Sequence, residues 1–181
     1  MAEHGIHDFL VAKRKAAERL AVSDAAVLPK NVEVEAALAE YQRLFGGDAH
    51  AQTIQSQRRT ALDAMRQLSE FEPRLVGPVL NGTATAHSEI QLHLFTDFAE
   101  SVAIKLMDAG IPHEVTERRM RMNPTRVLNI PGVRFELNEH EIEATVFPTD
   151  GIRQAPVSPV DGKPMRRADA DELEALIKYD S

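Results

Sequence analysis

Apolar residues recur at three- and four-residue steps from Ile6 to Val22. Ile6, Phe9, Leu10, Ala16, Ala17 and Leu20 share one side, with Lys13, Arg14 and Lys15 between them. This spacing predicts an amphipathic helix. After Leu28-Pro29, Asn31 is the expected cap of a second helix over Val32 to Phe45. Glu33 and Glu35 lie in its first turn, and Gly46-Gly47 offers the positive φ that commonly ends a helix. Asp48 is the expected cap of a third, longer helix. Ile54, Ala61, Leu62, Met65 and Leu68 form its buried stripe, and Pro73 stops it.

Beyond Pro73 the period shortens from helical to alternating. Leu75-Val76 precede Gly77, and Ile90, Leu92 and Leu94 are separated by polar residues, the pattern of a strand. Thr96 or Asp97 is expected to open a helix that turns Val102, Leu106 and Met107 inward and ends at Gly110-Ile111-Pro112. Residues 133–137 and 142–147, joined by Asn-Glu-His-Glu, read as a β-hairpin. From Pro148 to Arg167, four prolines and two glycines break any regular period, so this stretch either lines a site or wraps the surface. Asp169 with Glu172 forms a capping box for a last helix, Ala170 to Tyr179, that docks through Leu173, Leu176 and Ile177.

The formal charge of −7 and the pI near 5.5 argue against a chain held on nucleic acid by phosphate neutralisation. A nucleotide or a protein is the expected partner. There is no cysteine, so neither disulfide nor thiolate chemistry is available, and a zinc site would need His and carboxylates alone. No basic start with an apolar run reads as a signal peptide, and no apolar stretch approaches the roughly 20 residues of a membrane span. The expected location is therefore the cytoplasm, without membrane contact.

Alternation places Glu89, Gln91 and His93 together on the face opposite Ile90, Leu92 and Leu94, directly after a loop of small residues. The run from Val76 to Phe95, Val-Gly-Pro-Val-Leu-Asn-Gly-Thr-Ala-Thr-Ala-His-Ser-Glu-Ile-Gln-Leu-His-Leu-Phe, resembles the signature of nucleotidyltransferases of the polymerase-beta superfamily. That signature is Gly-Ser, a short helical turn, Gly-Thr-Ala, then Ser-Asp-hydrophobic-Asp on a strand. Over most of its length the chain also resembles bacterial proteins known only as nucleotidyltransferase-domain proteins.

The resemblance implies an α+β fold, with an N-terminal helical segment followed by a small mixed β-sheet and flanking helices. It divides the chain into a helical segment (1–72), a nucleotidyltransferase-like core (73–150), and a proline-rich loop with a C-terminal helix (151–181). It implies that Gly77, Gly82, Thr83 and Ser88 shape a phosphate cradle. By the same resemblance Glu89, Gln91 and Glu143 occupy the three acid positions, and Glu89 and Glu143 would hold Mg²⁺ for two-metal phosphoryl transfer. Nucleoside monophosphate would pass from a nucleoside triphosphate to an unknown acceptor. Pro78 stands where the family has serine and offers neither a hydroxyl nor an N–H, and Gln91 is neutral where the family has a carboxylate. These departures point to the alternative, a catalytically degenerate binding or regulatory module whose N-terminal helices serve a protein partner or self-association.

Other readings of the same residues stay open. The polar face of Glu89, Gln91 and His93 is also what a solvated edge strand produces. Glu143 can pair with Arg134 across the hairpin, and Asn81-Gly82 is also a two-residue hairpin signal. The basic groups Arg118, Arg119, Arg121, Arg126, Lys163, Arg166 and Arg167 can meet phosphate or simply face water. His4 and His7 have a metal-binding spacing but sit at a terminus expected to fray.

Overall fold

The computed structural model describes residues 9–19 and 28–179. Its helices are α1 (Phe9–Arg19), α2 (Asn31–Tyr41), α3 (Gly47–Gln67), α4 (Gly77–Asn81), α5 (Glu100–Asp108) and α6 (Ala170–Tyr179). Its strands are β1 (Arg74–Val76), β2 (Ile90–Phe95), β3 (His113–Arg121), β4 (Val127–Leu137) and β5 (His140–Phe147). The fold is α+β, with one five-stranded sheet in the order β1-β2-β5-β4-β3. The β2–β5 pair is parallel and the other neighbours are antiparallel. Among the described residues, no helix is long and apolar enough to cross a membrane.

Strand alternation gives the sheet two unlike faces. Ile90, Leu92 and Leu94 of β2, Ile142, Ala144 and Val146 of β5, and Val133 and Phe135 of β4 join one buried cluster. Ile54, Ala61, Met65 and Leu68 of the α3 side, Val102 and Leu106 of α5 and Leu173 of α6 complete it. The stripe expected of the third helix is therefore the one that is buried. The opposite face carries Gln91, His93, Glu143 and Thr145, with a smaller cluster of Phe95, Met122, Ile130 and Phe147 at its end.

Several local expectations shift. The second helix is capped by Lys30 rather than Asn31, and Glu33 accepts the Lys30 N–H at 2.6 Å. Asn31 instead accepts from Lys13 Nζ at 2.6 Å and donates to the Pro159 carbonyl at 2.7 Å, tying α1, α2 and the proline-rich loop together. The second and third helices run on through a single wide turn, Gln42–Gly46, and Gly46 rather than Asp48 caps α3. The helix expected from Thr96 or Asp97 starts at Glu100, because Asp97 accepts the Thr149 N–H at 3.0 Å and Thr96 turns back on Phe98. Its Met107 is 65% exposed rather than inward. Leu10 of α1 is likewise half-exposed. Residues 6–8 and 20–22 of the first expected helix, with His4 and His7, lie outside the described residues.

The hairpin is present and longer than expected: β4 begins at Val127, and the turn is Asn138-Glu139, both at positive φ. Asn81-Gly82 makes no hairpin, since Gly77–Asn81 is a turn of helix closed by Gly82 at φ +77°. Asp169 and Glu172 bond reciprocally as a capping box at 2.9 and 3.0 Å.

Candidate functional site

Gly77 ends β1 and opens α4 at φ +72°, a conformation that L side chains rarely adopt. A Cβ there would stand 2.6 Å from Gln91 Oε1, the movable end of a side chain, so it is the backbone angle that calls for glycine. After α4 the chain returns through Thr83, Ala84, Thr85 and Ser88 to β2. This loop is fixed from behind by buried side chains of the helical side. Gln42 donates to the carbonyls of Thr83 and Ala84 (3.1 and 3.4 Å), and Gln57 to those of Thr85 and Ser88 (2.8 and 3.3 Å). Arg58, 4% exposed, donates to the carbonyls of Val79 and Leu80, the last acceptors of α4. Ser88 Oγ accepts the Thr85 N–H at 2.9 Å, closing the loop on itself.

The sheet face beside this loop brings the three expected acid positions together. Gln91 and Glu143 are directly paired in the parallel β2–β5 register, and Glu89 precedes β2 by one residue. Neither carboxylate is free. Glu143, 1% exposed, accepts from Thr116 Oγ1 at 2.6 Å and from Arg134 Nε at 3.1 Å. Glu89 accepts from Arg118 Nη1 and from Gln91 Nε2, each at 3.1 Å. The Glu143 carboxylate holds the Arg134 guanidinium above its ordinary range. Gly132 of β4 makes room for this group, because a Cβ there would meet Ala144 O at 2.8 Å and Thr116 Oγ1 at 2.9 Å. The face is therefore a packed ionic network and not a solvated edge.

This donor set does not fit a divalent cation as arranged. Both carboxylates are already neutralised by guanidinium groups, and the third position is an amide. Among the described residues, no group of three or more His, Asp or Glu side chains gathers to hold a metal ion.

Above the face lies an open cavity of about 810 Å³. Gly77, Pro78, Thr83 and Ser88 line it on the loop side, and Gln91, His93 and Thr145 form its floor. Arg118, Arg119 and Arg121 of β3 with Lys163 and Arg166 of the proline-rich loop supply a cationic wall, which also holds Asp161, so the stretch after Pro148 lines the cavity. Glu35 and Asn81 close the remaining side. Burial, and then the charge of Asp161, raises the Glu35 pKa above the usual carboxylate value, while Asn81 opposes the shift by a hydrogen bond.

Of the expected site residues, Gly77, Thr83, Ser88 and Gln91 line the cavity, whereas Gly82 faces the Arg58 side and Glu89 and Glu143 lie within the ionic network. His93, on the expected face beside Gln91, is 2% exposed and accepts at Nδ1 from Arg167 Nε at 3.0 Å. The two residues are 74 positions apart, and no local pattern marks them as a pair. Compared with family models, curated proteins and solved structures, the chain finds no match.

Proposed function

We propose that the chain is a nucleotidyltransferase-like binding module that takes a nucleoside triphosphate through its arginine-lined cavity without a divalent metal. The observation that carries this reading is the pairing of Glu143 with Arg134 and of Glu89 with Arg118 at the positions where the resemblance implies metal ligands. Guanidinium groups here supply the positive charge that a transferase takes from magnesium. Arg118 faces both the network and the cavity, with Arg119, Arg121, Lys163 and Arg166 beside it. Planar guanidinium forks match phosphate oxygens well.

The second reading, a transferase that passes a nucleoside monophosphate to an acceptor, draws support from the register. Gln91 lies opposite Glu143 on the neighbouring strand, as the resemblance implies for the second and third acid positions.

Calorimetric titration with ATP, GTP, CTP and UTP, in EDTA and again with Mg²⁺ or Mn²⁺, separates the two readings. Binding that persists in EDTA is the expected result. Binding that needs metal and disappears in Glu89→Ala would overturn the module in favour of the transferase.

A further inference from the structure

We propose that His93 is a ligand contact, a neutral imidazole fixed by Arg167 as the Nε2–H tautomer, donating that N–H to a phosphate oxygen in the cavity. The inference rests on the reading of the cavity given above and deepens it.

Arginine carries donors only, so the 3.0 Å contact between Arg167 Nε and His93 Nδ1 requires Nδ1 to accept. The ring proton is thereby assigned to Nε2. Arg167 is itself immobilised: Nη1 donates to the carbonyls of Gly151 (2.8 Å) and Ile152 (3.2 Å). Its guanidinium lies 4.9 Å from the Phe95 ring centre and 5.2 Å from that of Phe147. The His93 ring meets Phe147 edge-on at 4.7 Å, so the imidazole plane is fixed as well.

His93 is 2% exposed and lines the cavity, yet among the described residues Nε2 has no protein partner. Nε2 is thus open to the cavity, whereas Arg167 Nη2 is the buried nitrogen that lacks a partner among the described residues. Thr145, paired with His93 in the strand register, lines the same floor, and its hydroxyl offers a second donor. Two short donors beneath the arginine wall call for a ligand rich in acceptor oxygens. Burial, and then the charges of Arg167 and Arg118, hold the imidazole pKa well below its ordinary value. Its one free lone pair is spent on Arg167, so His93 is a binding residue and not a general base. Arg167 is its positioning residue.

The test is a long-range ¹H–¹⁵N spectrum of the ¹⁵N-histidine-labelled protein, before and after titration with inorganic tripolyphosphate in EDTA. Nε2 is expected to carry the proton in the free protein, and its signal to move on binding. His93→Leu should weaken binding about tenfold or more, the scale of one hydrogen bond to a charged group. His93→Gln, which keeps an amide donor, should recover part of that loss. In Arg167→Met, both tautomers should become visible.

A proton on Nδ1 in the free protein, or an Nε2 signal unmoved at saturation, would overturn the inference. So would unchanged affinity in folded His93→Leu, while the binding module would survive. A wild-type protein that binds no tripolyphosphate would overturn both. The wild-type spectrum decides the matter even if a variant fails to fold.

Discussion

The two sides of the cavity are built in opposite ways. On the helical side, Gln42, Gln57 and Arg58 are buried and hold the backbone carbonyls of residues 79–88 in place. On the other side, Arg119, Lys163 and Arg166 are exposed. The loop that carries two of them is held mainly by backbone bonds, such as Val157 N to Arg121 O at 2.7 Å and Ser158 N to Lys163 O at 2.7 Å. The difference teaches where shape and charge reside: the first side fixes the outline of the cavity, and the second supplies a cationic surface that can adjust to its ligand.

Breaking the fixed side should cost the most. Arg58→Ala leaves the Val79 and Leu80 carbonyls buried without donors and is expected to lower stability by about 3 kcal/mol in chemical denaturation. Gly77→Ala should lose about 1–2 kcal/mol, mainly because φ +72° is strained for alanine, while the Gln91 amide 2.6 Å from its Cβ can swing aside. Adding Gln91→Ala should recover only the part due to the clash, so the double variant separates contact from backbone strain.

His93, on the floor between the two sides, gives a pH signature. Its folded-state pKa lies well below 6.5, so beneath that pH the unfolded chain binds a proton that the native state refuses. Its contribution is therefore full above pH 6.5 and is lost as pH falls, by at most about 1.4 kcal/mol per pH unit. Stability curves of the wild type and His93→Gln should diverge on acidification and run parallel at neutral pH. The smallest stability effect belongs to the charged side. Arg119→Ala and Arg166→Ala should each shift stability by less than about 0.5 kcal/mol, yet weaken nucleotide binding by about fivefold and flatten its salt dependence.

The helical side was legible because its signals are local. The stripe from Ile54 to Leu68 and the Asp169–Glu172 box each follow from spacing within a few residues, whereas the turn at Gly77 was implied only by the family resemblance. Arg134 opposite Glu143 was also within reach, since a hairpin brings its own strands into register. Arg118 with Glu89, 29 positions apart, and Arg167 with His93 depend on which strands become neighbours, and that is a property of the whole sheet. Met107 shows the limit of periodicity: the buried stripe of α5 runs through Ala99, Val102, Ala103 and Leu106, and Met107, next in sequence, is 65% exposed. Asn31 shows a tertiary contact, with Lys13 and Pro159, displacing a local preference for capping.

The parallel pairing of β2 with β5 also bears on how the chain folds. The strands β3, β4 and β5 form a meander that can close through short turns, whereas β2 meets β5 across roughly fifty residues of intervening chain. A three-stranded unit is thus expected early, with β2 docking onto it late. Gln91 and His93 arrive with that strand and join Thr145, which β5 already carries, so the floor of the cavity is expected to be complete only once β2 has docked. Nucleotide is therefore expected to slow unfolding rather than to speed folding.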